Sequence, residues 1–189
     1  MKEIEILVEV YDDLEVVRKK INSFEYVGLK KTIDEYYYDP KREDLKPDGN
    51  NQLFHCLRLR SKGENFSVTY KDDVFDGDKW LYSNEYETNV DSLDMMRKIF
   101  DRLGLKRFIV IDNDKEIYKT DKYEVTLENV RDLGIFMEVE YCTNDDVDVV
   151  MIKREIQKFI DELGINVSEE LNIGKPEMYL KKHNIKVLD

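Results

Sequence analysis

The opening segment MKEIEILVEV alternates. Ile4, Ile6, Val8 and Val10 share one side of an extended chain, and Glu3, Glu5, Leu7 and Glu9 share the other. Successive side chains of a strand point to opposite faces, so a period of two predicts a strand with one apolar and one acidic face. The device returns twice, in NEYETNV with Glu85 and Glu87, and in FMEVEY, where Glu138 and Glu140 alternate against Met137, Val139 and Tyr141. Other alternating runs carry charge of either sign: HCLRLRSK sets Arg58 and Arg60 opposite Leu57 and Leu59, FSVTYK sets Thr69 and Lys71 opposite Val68 and Tyr70, and YEVTLENV sets Glu124, Thr126 and Glu128 opposite Val125 and Leu127. IDEYYYDP adds an aromatic and acidic candidate strand.

Each E-x-E run leads into an amphipathic helical stretch that begins near an aspartate, from Asp12, Asp91 and Asp145. Asp caps the first turn and complements the helix dipole, and Gly104 and Gly164 stand where the second and third helices should stop. Val27 to Leu29 reads as a looser version of the same stop. The spacing within the three units is too uneven for a solenoid. DPKREDLKPDGNNQ and DDVFDGDKW, with Asp-Gly turn chemistry, are the predicted connections.

Seven or eight strands with one charged face, plus three helices with apolar stripes, fit an α+β protein in either of two ways. A closed antiparallel barrel with helices outside puts the charges in its lumen, and an open sheet puts them in water. Periodicity alone leaves both open. A charged lumen is tolerable only with opposite charges, metal ions or a ligand inside. Glutamates at i and i+2 project in parallel about 7 Å apart, so two such strands offer four carboxylates to hard cations such as Mg²⁺ or Mn²⁺. Arg58, Arg60 and Lys71 suit phosphate.

At 189 residues, 41% of them hydrophobic, the chain is predicted to form one domain over 1–189. The 42 acidic against 30 basic residues give a net charge of -12, which opposes nucleic acid and anionic lipid as partners. A polyanionic substrate has to meet cations first. No apolar run approaches a membrane span or a secretory leader, which predicts a cytoplasmic protein, and Cys56 and Cys142 are expected to be reduced there. His55 and His183 have no partner for nucleophilic chemistry, and Trp80 and the tyrosines read as packing residues.

In order along the chain, E-I-E at Glu3 to Glu5, D-E-Y-Y-Y-D-P at Asp34 to Pro40, L-R-L-R at Leu57 to Arg60, T-Y-K at Thr69 to Lys71, E-Y-E at Glu85 to Glu87 and L-G-I-F-M-E-V-E at Leu133 to Glu140 resemble the CYTH superfamily of triphosphate tunnel metalloenzymes, in its class IV adenylyl cyclase-like branch. The resemblance runs to about Tyr179. It implies an eight-stranded antiparallel barrel around a hydrophilic tunnel, with a Mg²⁺ or Mn²⁺ site at Glu3, Glu5, Glu138 and Glu140 and an acidic companion at Glu128. It also implies phosphate contacts from Arg58, Arg60, Lys71 and Lys115, a further acidic pair at Glu85 and Glu87, catalysis centred on Glu138 and Glu140, and a homodimer as one arrangement. The substrate would be a triphosphate or a nucleotide, with water or a ribose 3′-hydroxyl as nucleophile: hydrolysis in the one case, cyclisation of ATP in the other. Three positions depart from the pattern, because Leu7, Ser83 and Asn113 stand where the family carries basic residues. These losses predict weak triphosphate chemistry that Leu7→Lys would raise. They also motivate the alternative of a phosphate- or nucleotide-binding module without turnover.

Overall fold

The structure, a computed structural model, describes residues 1–187. Its eight strands are β1 (Lys2–Glu9), β2 (Glu25–Tyr38), β3 (His55–Lys62), β4 (Asn65–Asp76), β5 (Lys79–Val90), β6 (Lys106–Lys119), β7 (Glu124–Val130) and β8 (Gly134–Thr143). They close into one antiparallel barrel in the order β1-β5-β4-β3-β2-β6-β7-β8. Closure removes sheet edges, and here it depends on the shortest seam, in which β1 meets β5 only at Lys2 with Asn84 and at Glu3 with Ser83. Of the two arrangements that the alternation left open, the closed one is realised.

Four helices decorate the barrel: α1 (Leu14–Lys20), α2 (Leu93–Leu103), α3 (Val149–Leu163) and α4 (Lys175–Lys182). The caps fall later than predicted. Asp13, Ser92 and Asp148 accept from the first-turn amides, in place of the aspartates at 12, 91 and 145. Gly104 and Gly164 do end α2 and α3. Gly28 ends no helix: it lies inside β2 at a register shift against β6, with φ near +141°, a conformation that only glycine adopts without strain. DDVF likewise belongs to β4, and the turn that follows is confined to the residues around Gly77.

The apolar faces of β1, β7 and β8 pack outward. Ile4, Ile6, Val8, Val125, Leu127, Met137 and Val139 are buried against Val17 and Ile21 at α1 and Ile156 and Ile160 of α3. With these faces covered, the charged faces turn into the lumen. α2 covers a third side through Phe100 against Tyr37 and Leu59. It is pinned by Glu35, a buried carboxylate on the outer face of β2. This carboxylate accepts from Arg97 at 3.0 Å, Tyr37 at 2.9 Å and Arg107 at 3.1 Å.

Burial alone would raise the Glu35 pKa, but Arg97, Tyr37 and Arg107 outweigh it and hold the group below the ordinary glutamate value. A depressed folded pKa contributes stability that is present above the unfolded value and lost as pH falls through the folded one. Glu35→Gln should therefore cost about 2 kcal/mol at neutral pH. Denaturant melts should show the gap to wild type closing below about pH 4. A gap that stays constant down to acid pH would contradict the assignment.

Candidate functional site

The register fixes which residues meet inside the barrel. Glu5 lies opposite Glu140, Leu7 opposite Glu138 and Glu3 opposite Cys142 across the β1–β8 seam, so the first and last E-x-E runs form one acidic wall. Carboxylate oxygens of Glu5, Glu138 and Glu140 lie within 4.8 Å of one another, and the oxygens of Glu3 and Glu140 come as close together with the Cys142 thiol. These two groups share Glu140. Burial, then the charge of Glu138, pushes Glu5 well up; burial, then Glu3 and Glu138, pushes Glu140 up to about 8. Such mutual repulsion is what a bound cation relieves, and the donors are the hard oxygens that suit Mg²⁺ or Mn²⁺. Cys142 sits at the rim, donating to Glu140 at 2.5 Å.

Cations face and interleave with this wall. Arg60 grips Asp34 in a bidentate pair at 2.7 and 2.6 Å, holding that carboxyl well below its ordinary range in spite of its burial. Arg58 donates to Thr69 at 3.1 Å and to Glu85 and Glu87 at 3.3 and 3.5 Å. Its Nε is buried without a hydrogen-bond partner among the described residues. Lys71 reaches from β4 to Glu3 and lies 3.9 Å from Glu85. Lys115 approaches Glu128 at 3.2 Å. Each expected phosphate-binding residue thus lines the lumen together with Glu3, Glu5, Glu85, Glu87, Glu138 and Glu140.

Glu128 is placed differently from the other carboxylates. It is fully buried, accepts from Asn113, Lys115 and Lys175, and stands outside both close carboxylate groups. Ser83, where a basic residue is missing, donates to Asp73 at 2.6 Å, and Asn113 serves as a neutral donor to Glu128. Leu7 belongs to an apolar cluster with Tyr36, Ile109, Ile111, Val130, Phe136 and Leu180 that closes one end of the lumen. Tyr36 and Trp80 also line the cavity, whereas Tyr38 meets Phe108 edge to face. His55 stacks on Tyr70.

Lys175, at the start of α4, was not singled out by the sequence. The segment before it is stitched to the end of β1: Val10 bridges Val167, the Ser168 amide donates to the Glu9 carbonyl, and the Leu171 amide donates to the Leu7 carbonyl. That path carries α4 over the barrel end. Pro176 follows in its first turn, where a proline is pre-shaped for a helix, and Leu180 packs into the apolar plug. The buried carboxyl of Glu177 accepts from the Leu53 amide, tying the helix to the loop before β3. Lys175 then donates to Glu128 at 2.8 Å and to Glu138 at 2.5 Å. Burial opposes its charge, but Glu128 and Glu138 overcome this and raise its pKa; in return Lys175 and Lys115 hold Glu138 low. An ammonium therefore stands beside the acidic wall although residue 7 is leucine. The lumen so formed is a cavity of about 270 Å³.

The same architecture recurs in solved structures. The PH1819 protein of Pyrococcus horikoshii OT3 superposes with a TM-score of 0.78 at 24% identity, over 94% of this chain and 99% of that one. HpAC1 of Hippeastrum, described with a dominant triphosphatase activity, superposes at 0.65 with 14% identity, over 98% and 97% of the two chains. In sequence, the chain is 30% identical over 184 residues to the Methanocaldococcus jannaschii protein named "Putative adenylate cyclase MJ0240", covering 97% of each. The CYTH domain profile matches residues 1–171, which contain all three E-x-E runs and every strand of the barrel. The chain belongs to the CYTH domain family.

Proposed function

We propose that the protein is a divalent-metal-dependent triphosphatase. The observation that carries this reading is the cavity itself, in which the carboxylates of β1 and β8 face the cations of β3, β6 and α4. At about 270 Å³ it lies just below the usual range of ligand pockets, roughly 300–1,000 Å³, which favours a compact ligand such as a phosphate chain with its cations. Glu5, Glu138 and Glu140, with Glu3 beside them, would hold Mg²⁺ or Mn²⁺. When bound, such an ion neutralises phosphate oxygens and supplies an activated water.

The protein's own residues bind and orient. Arg58 and Arg60 present guanidinium edges to phosphate oxygens, Lys71, Lys115 and Lys175 add point charges, and Glu138 and Glu140 define the reacting end. No covalent nucleophile is required. Phosphate exchanges its oxygens for the carboxylates that now occupy these cations, so the buried charges are paired both with and without substrate.

A second reading, conversion of ATP to cyclic AMP, is favoured by the name of the 30%-identical relative. The two separate in one experiment. Purified protein with Mg²⁺ or Mn²⁺ and tripolyphosphate, thiamine triphosphate or ATP should release inorganic phosphate, with little or no cyclic AMP from ATP. Cyclic AMP as the main product would replace hydrolysis by cyclisation. Neither product with either metal would overturn both readings.

A further inference from the structure

Among the tunnel cations, one is left without a counter-charge. Arg58, Arg60, Lys71, Lys115 and Lys175 each have a carboxylate within 4.0 Å. Lys62, the last inward residue of β3, has none among the described residues, although Glu87 and Glu124 also line the lumen. Its near neighbour is another cation. Lys62 lies opposite Thr32 in the β2–β3 register, and Lys30, two residues from Thr32, lies opposite Lys115 in the β2–β6 register. Lys30 has no carboxylate partner among the described residues either. Burial, the approach of Lys30, and the charges of Arg60 and Lys115 bring the Lys62 ammonium down to about 8. Two lysines on neighbouring strands, with Arg60 close by and no carboxylate partner for either among the described residues, suit an anion.

We propose that Lys62 and Lys30 form an anion subsite at the mouth of the tunnel that takes a phosphate beyond the third, making linear oligophosphates of four or more units the preferred ligands. The inference rests on the reading of the tunnel as a phosphate site and adds its length. Arg58, Arg60 and Lys62 are alternate residues of one strand, so their positions span about 13 Å at the usual rise. A triphosphate, with only two P–O–P links, reaches along part of that ladder and leaves Lys62 unmatched. A fourth phosphate continues along the line that Arg58 and Arg60 begin. Lys62 is thus set apart from the other five cations that line the cavity, each of which already has its carboxylate.

The test is calorimetric titration in Mg²⁺ buffer at low temperature with inorganic tripolyphosphate and with linear tetraphosphate. Wild type should bind tetraphosphate about tenfold more tightly, the effect of one charge-assisted contact. In Lys62→Gln and Lys30→Gln that ratio should fall towards one, and Lys62→Arg should keep it. Equal affinities in wild type, or a preference that survives both glutamine substitutions, would overturn the mouth subsite while tripolyphosphate binding left the tunnel reading intact. If neither ligand bound wild type, the tunnel reading would fail and this inference with it.

Discussion

Glu138→Gln is expected to lower metal-dependent phosphate release by about 100-fold or more, since an oxygen ligand at the reacting end supports several kcal/mol of charge stabilisation. The barrel should stay folded. Glu138 is one of three carboxylates crowded within 4.8 Å, and removing one charge relieves the repulsion that raises Glu5 and Glu140. Lys175 is not orphaned by the change, because its bond to Glu128 remains. Steady-state assays across Mn²⁺ concentrations, read beside circular dichroism melts, separate the two effects. Full activity in the variant, or a collapsed melt that accounts for the loss, would count against Glu138 as a ligand.

Lys175→Gln should weaken tripolyphosphate binding by about ten- to a hundredfold, the range for charge-assisted bonds, while Mn²⁺ binding to the free protein becomes tighter. The opposite signs follow from the geometry. The ammonium supplies positive charge for phosphate, yet before substrate arrives it competes with a metal ion for the Glu138 carboxylate. A residue that merely held α4 in place would weaken both, and Lys175→Arg should restore part of the phosphate affinity. Loss of both affinities in parallel, with a lowered melting temperature, would reduce Lys175 to a structural role.

These two residues differ in how far the sequence announced them. Glu138 sits in an alternating run whose partners, Glu3 and Glu5, repeat the same parity, so its inward direction was legible from a period of two. Arg58 and Arg60 were legible for the same reason, and all of these residues line the lumen. The four-carboxylate wall was harder to read, because it depends on β1 and β8 lying side by side although they stand at opposite ends of the barrel sequence. Closure was left open for a physical reason: the β1–β5 seam contains two paired positions, too few to write a pattern. Lys175 had no such signal. It is delivered by a short helix through backbone bonds of residues 167–171 to β1, and backbone pairing carries no side-chain code. The missing lysine at position 7 was visible, but the ammonium that stands beside the same glutamates comes from the far end of the chain. Gly28 misled because a glycine after an apolar residue reads equally well as a helix stop or a strand bulge.

The proposed function requires the acidic wall to hold a divalent metal against a phosphate chain gripped from the other side. The most direct measurement is a crystal structure of the protein soaked with Mn²⁺ and a non-hydrolysable triphosphate, read by anomalous diffraction. A manganese peak ligated by at least two of Glu5, Glu138 and Glu140 is expected, with the phosphates lying between that peak and Arg58, Arg60 and Lys175. Manganese bound outside the barrel, or a triphosphate seated away from those cations, would contradict it.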